Sequence, residues 1–196
     1  MKLSCRILLP ALAGVILSMP ASADSILHRE STAPADVAEA IEANVLLWAN
    51  YWNTSSWKRI QDLWDPDEDA PYYLGEEREH WLIGREGLAS YFKPPGYAAS
   101  LIGGVIMNPY RLRVRLVADD IAIATWENKL DMDLRGRPPI TDNFRANAVF
   151  RKKPDGWQFI HYAEAPLAPL AYIEHLYRKN VVPDYEQVVK PMDPPQ

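Results

Sequence analysis

Between Asn143 and Pro166 the chain reads NFRANAVFRKKPDGWQFIHYAEAP, an alternation that only a β-hairpin satisfies well. Phe144, Ala146, Ala148 and Phe150 share one side of 143–152, with Asn143, Arg145, Asn147 and Arg151 on the other. A period of two is the mark of a strand with one buried face. Pro154-Asp155-Gly156 turns the chain, since proline presets φ and glycine tolerates φ > 0. Carried on unbroken, the alternation puts Trp157, Phe159, His161 and Ala163 on one face of the return strand. Gln158, Ile160, Tyr162 and Glu164 fall on the other. His161 is thereby expected to face inward beside Trp157 and Phe159.

The preceding segments extend the sheet. Leu112, Val114 and Leu116 alternate with Arg111, Arg113 and Arg115. Ile121–Leu134 is a long strand with Ala122, Ala124, Trp126, Asn128 and Leu130 on one side. Glu127, Lys129, Asp131 and Arg145 belong to the opposite, polar face, read as solvated or as a subunit interface. Residues 101–108 are apolar with two glycines and fit either a strand or a lid. Upstream, Val37, Ile41, Val45, Trp48 and Trp52 recur at helical spacing over 36–51, with Asp36 placed to cap. Asn53-Thr54-Ser55-Ser56 breaks that helix and Trp57–Trp64 forms a second. Pro71–Gly75 and His80–Ile83 are short strands, and Gly84 opens a third helix through Phe92. Leu167–Lys179 is expected to close the domain as a helix. Helices followed by long antiparallel strands make an α+β fold, with the helices gathered on one face of a curved sheet.

Composition narrows the function. A length of 196 residues, about half hydrophobic, supports one core. A formal charge of −5 argues against nucleic acid and anionic membrane surfaces as partners. Residues 1–23 have the form of a cleavable signal peptide: Lys2 and Arg6, an apolar run from Ile7 to Met19, then Ala21-Ser22-Ala23. A linker over 24–35, a domain over 36–181 and a proline-rich tail over 182–196 follow. Cleavage would remove Cys5, the single cysteine, and take the charge to about −7. Export without disulfides points to a periplasmic or secreted protein. The alternate aspartates of Asp65-Pro66-Asp67-Glu68-Asp69 echo a calcium loop, but Ala70 stands where its turn needs glycine. A solvated helix end is the reading adopted. His28, His80, His161 and His175 lack ligand spacing, so no metal and no cofactor are expected.

Leu63-Trp64-Asp65, Gly84-Arg85-Glu86-Gly87-Leu88, and Arg145…Val149-Phe150-Arg151-Lys152 with Asp155-Gly156-Trp157-Gln158-Phe159-Ile160-His161 together resemble the SnoaL-like branch of the nuclear transport factor 2-like superfamily. The resemblance implies a cone-shaped α+β fold, a curved sheet wrapped around N-terminal helices and an apolar pocket, often in a homo-oligomer (dimer or trimer). Similar proteins include cofactor-independent isomerases, dehydratases, polyketide cyclases and lyases of lignin-derived diaryl compounds, besides silent binding domains. Relatives often carry a second histidine where this chain has Ala163.

The candidate chemistry is proton transfer on a small aromatic or polycyclic substrate. His161, with an ordinary pKa of about 6.5, is the expected base. Arg78 or Tyr72 would steady a developing oxyanion, and Trp81, Trp126, Asn128 and Phe144 would bind the substrate. Each has a bland counterpart: Asn128 and His161 satisfy one another, Arg78 is a solvated turn residue, and the aromatics are plain core. The competing function is a non-catalytic periplasmic binding or assembly module working through Arg113, Arg115, Glu127 and Lys129.

Overall fold

A computed structural model describes residues 31–93, 96, 98, 102–136 and 138–167. The elements run α1 (Ala35–Asn53), α2 (Trp57–Asp62), β1 (Tyr72–Leu74), β2 (Leu82–Ile83), α3 (Gly84–Phe92), β3 (Ile102–Ala118), β4 (Ile121–Leu134), β5 (Ile140–Lys153) and β6 (Gly156–Pro166). The six strands form one sheet in the order β2-β1-β6-β5-β4-β3. β3 to β6 are an antiparallel meander, and β1 joins β6 in parallel. The expected α+β architecture is present, a curved open sheet around N-terminal helices. The signal segment, the closing helix at Leu167–Lys179 and the proline-rich tail lie outside the described residues, apart from Leu167.

α1 forms because Val37, Ile41, Val45, Trp48 and Trp52 make one buried stripe. Its N-terminus differs from expectation: Asp36 makes no capping bond and sits in the first turn, while Ala38 N–H donates to Pro34 O at 3.0 Å. Trp48 is the hub of the core, with ring centroids 4.6 Å from Tyr162 and 5.3 Å from Phe159. Ala122, Ala124, Ala146 and Ala148 are buried in the same cluster. Small side chains there let the helix's indole lie close to the sheet.

Residues 102–108 are strand, which settles the choice between strand and lid. β3 carries register shifts at Ile102/Gly104, Tyr110/Arg113 and Leu116/Ala118, and Arg111 takes φ +53° at the second. Each extra residue bends the strand, so β3 curls around α1. Asn53, at the end of α1, completes the wrap: its side chain accepts from Met107 N–H at 2.7 Å and donates to Met107 O at 3.2 Å.

The decisive irregularity lies in β6. Phe159 pairs with Phe150 and His161 with Val149, which leaves Ile160 as an extra, unpaired residue. The bulge shifts the alternation by one. Trp157, Phe159 and Tyr162 are all buried inward, whereas His161 and Ala163 turn outward. The unbroken period placed His161 inward and Glu164 outward; both positions are corrected by Ile160.

The acidic run is an anchor rather than a calcium loop. Asp65 is fully buried, paired with Arg151 at 2.8 Å and Lys153 at 3.1 Å, and it accepts from Asp67 N–H at 2.9 Å. Asp65 N–H also donates to Phe159 O at 2.9 Å, just before the bulge. The run is therefore tied to β5 and β6 instead of being solvated throughout.

Candidate active site

Beyond the alanine-packed half of the sheet, the concave face opens into a cavity of about 410 Å³. Its apolar walls come from the far ends of the long strands, with Val105 and Met107 of β3, Leu130 and Met132 of β4, and Phe144 of β5. α1 contributes Trp52 and β1 contributes Tyr73. None of the four alanines lines it, so the hollow lies along the sheet from where those residues are packed against the helix. Four carboxyl groups also line it: Glu76 and Glu77 from the turn after β1, Asp142 from β5 and Glu164 from β6.

Glu164 faces this cavity because of the bulge two turns of alternation earlier. Its Oε2 accepts from the Glu76 backbone N–H at 3.0 Å, and its Oε1 accepts from the Tyr162 hydroxyl. Burial, and then the nearby Glu77 charge, push the Glu164 carboxyl up to about 8, against the pull of those two donors. Burial also raises Glu76, to about 7, helped by the charge and hydrogen bond of Asp142. The carboxyls thus hold their protons into the neutral range.

Three phenols back them. Tyr73 stacks on Tyr162 at 5.5 Å with an interplanar angle of 8°, and Tyr91 lies 5.3 Å from Tyr73. Burial, followed by nearby carboxylate charge, raises all three well above the ordinary phenol value, so they remain neutral donors. The Tyr91 hydroxyl donates to Glu77 Oε1. Gly75 makes this convergence possible: a Cβ there would lie 2.6 Å from the Tyr73 hydroxyl and 2.5 Å from the Glu77 carboxylate.

Among the described residues, Trp52, Trp126 and Asn128 carry buried polar side-chain atoms without hydrogen bonds. Trp52 lines the cavity with its Nε1 unbonded, and Asn128, fully buried, has neither amide atom bonded. Asn128 pairs in register with Phe144, which lines the wall. Buried polar groups without partners are costly and need explanation.

The sequence matches the SnoaL-like domain over residues 41–169. The chain belongs to the SnoaL-like domain family. Its fold is that of nuclear transport factor 2-like proteins, the architecture the sequence motifs implied. Solved structures agree at the level of fold. A candidate aromatic ring hydroxylase from Novosphingobium aromaticivorans is 18% identical, with a TM-score of 0.61 over 69% of this chain and 92% of that one. A candidate dehydratase of the nuclear transport factor 2-like family from Streptomyces avermitilis is also 18% identical, with a TM-score of 0.57 over 69% and 99%. A ketosteroid isomerase-like protein from Erwinia carotovora is 16% identical, with a TM-score of 0.57 over 70% and 100%. No curated protein matches the sequence.

In this SnoaL-like domain the residues singled out from sequence divide between two places. Phe144 lines the cavity, and Trp126 and Asn128 are buried on the same inner face. Tyr72, Trp81 and His161 come together, but on the outer face: His161 lies 6.1 Å from Tyr72 and 5.5 Å from Trp81. Burial beneath these rings lowers the His161 pKa. Tyr72 turns outward because β1 pairs in register with β6, Tyr72 opposite His161 and inward-facing Tyr73 opposite Tyr162. Arg78 sits in the turn beside the cavity with its guanidinium 5.7 Å over the Tyr91 ring, and it does not line the wall. Glu76, Glu77, Asp142, Glu164 and Tyr73 were not among the residues singled out. Their common signal is weak, since carboxylates at strand ends and turns are ordinary surface residues in most chains.

Among the described residues no group of histidine, cysteine and carboxylate side chains has metal-binding geometry, and no helix is long and apolar enough to cross a membrane.

Proposed function

We propose that this SnoaL-like domain is a lyase or isomerase that moves protons on a small aromatic or polycyclic substrate, with Glu164 and Glu76 as the working pair. The observation that carries the reading is Glu164 itself, a carboxyl held near pH 8 in an apolar cavity and oriented by the Tyr162 hydroxyl and the Glu76 amide. A singly protonated carboxyl pair supplies one base and one acid from the same site. In a dehydration, one carboxylate takes the C–H proton and the electron pair becomes the new C=C bond. The C–O bond breaks, and the hydroxyl leaves as water with the proton of the other carboxyl. In an isomerisation the same proton returns at a different carbon. Neither reaction requires a redox or group-carrying cofactor, since the carboxyls supply and accept the protons. The dehydratase and the ketosteroid isomerase-like protein that share the fold support this class by analogy.

The finer proposals are a lignin-derived diaryl alcohol as substrate, export through residues 1–23 to the periplasm, and a homo-oligomer. Outward-facing Tyr72 (42% exposed), Trp81 (44%) and Ile83 (57%) support the oligomer, since they form an apolar patch on the outer face. The experiment for the main reading is solvent deuterium incorporation into candidate aryl ketones and dehydration of aryl alcohols. Glu164→Gln is expected to lose roughly 10²–10⁴-fold in turnover with its melting temperature retained. Unchanged turnover in that variant would remove Glu164 from the chemistry.

A second reading, a binding or assembly module, is favoured by an outer groove of about 270 Å³ lined by Arg111, Arg113, Glu127 and Arg145. Ligand binding without turnover in any assay would select it.

A further inference from the structure

Tertiary folding brings Glu76, Glu77, Asp142 and Glu164 around one apolar cavity, and no lysine or arginine is among the described residues that line it. The nearest cation on this turn, Arg78, lies over the Tyr91 ring outside the lining. Carboxylates facing one another across an apolar space repel, and a ligand cation placed between them relieves that repulsion. The rings of Trp52, Tyr73 and Phe144 are also in the wall, and aromatic rings attract ammonium ions. A neutral hydrocarbon would use the apolar wall and leave the carboxylates unmatched. An anion would be opposed by every carboxyl of the four that is ionised.

Resting on the reading of this cavity as the substrate site, we propose that its ligand carries a protonated amine on an apolar, ring-sized body. The amine sits among the carboxylates, and the rings and aliphatic side chains take the remainder. Because a cation favours the charged form of its neighbours, amine binding draws protons off the Glu76–Glu164 pair and releases them to solvent.

The test compares three probes of similar shape on the full chain: 2-phenylethylamine, 2-phenylethanol and 3-phenylpropionate. Thermal shift and titration calorimetry are run near neutral pH in two buffers of different ionisation enthalpy. The amine is expected to bind at least about tenfold more tightly than the alcohol, with proton release on binding, and the acid more weakly than either. Glu77→Gln is expected to cut the preference for amine over alcohol at least about threefold, since it removes one of the charges that the amine meets and the alcohol does not. Equal affinity for amine and alcohol, stronger binding of the acid, or no thermal shift with the amine at about 10 mM would each overturn the proposal. The failures are separable. Lost turnover in Glu164→Gln without amine preference removes the amine and leaves the proton transfer. Amine preference with full turnover in Glu164→Gln does the reverse.

Discussion

At the residue scale, Glu164 couples the site to stability. Its carboxyl is raised from 4.5 unfolded to about 8 folded, so the folded state holds its proton more tightly. That contribution is complete below the unfolded value and is lost as pH rises through the folded one. The domain should therefore lose stability between about pH 5 and pH 8.5, on the order of 2–3 kcal/mol after allowance for partial exposure. Glu164→Gln should flatten that slope, measured by urea unfolding across the range. A wild-type slope unaffected by the substitution would contradict the burial argument. The same pair gives catalysis a narrow window: the singly protonated form dominates between about pH 7 and 8, so kcat/KM should be bell-shaped with limbs near those values.

At the scale of elements, the bulge in β6 and the Asp65 anchor act together. Asp65 ties the end of α2 to Arg151 and Lys153 of β5 and, through its backbone, to Phe159 of β6. Asp65→Ala removes the buried carboxylate and its bond from Asp67 N–H, while Arg151 keeps Glu68 and Lys153 keeps Asp67, and should cost about 1–3 kcal/mol in chemical unfolding. A loss under about 0.5 kcal/mol would reduce the motif to a surface ion pair. The face change at Ile160 is open to thiol labelling, because Cys5 is the single cysteine and Cys5→Ser leaves no background thiol. His161→Cys should react in the native state, whereas Tyr162→Cys should be slower by roughly 10³-fold or more, since only unfolding exposes it. The reverse order, with position 162 the reactive one, would mean that β6 runs without a bulge.

For the whole molecule, one concave surface is divided into a packed half and a hollow half. Trp48 and the four alanines fill the first; bulky but unmatched side chains at the strand ends frame the second. Trp52, Tyr73 and Phe144 belong both to the buried core and to the cavity wall, but Met132 only packs against that core from the cavity side, so filling the hollow from there should spare the fold. Met132→Trp is expected to keep the melting temperature within a few degrees while weakening aromatic ligands by about tenfold or more. A variant that binds as tightly as the wild type would place the ligand elsewhere, with the outer groove of Arg111, Arg113 and Arg145 the alternative.

Much of this architecture was legible in one dimension, because it rests on local periodicity. The stripe from Val37 to Trp52, the alternation of Ile121–Leu134 and the turn at Pro154-Asp155-Gly156 each follow from which side chains leave water together. The inward turn of the alanine-bearing face follows for the same reason. The place of His161 did not, since one unpaired residue, Ile160, reverses the order without any glycine or proline to announce it. Nor did the carboxyl cluster, whose members stand at 76, 77, 142 and 164 and meet only when β1 docks beside β6 and β5 crosses between β4 and β6. Periodicity is a property of neighbours along the chain, whereas a bulge and a converging set of charges are properties of neighbours across it.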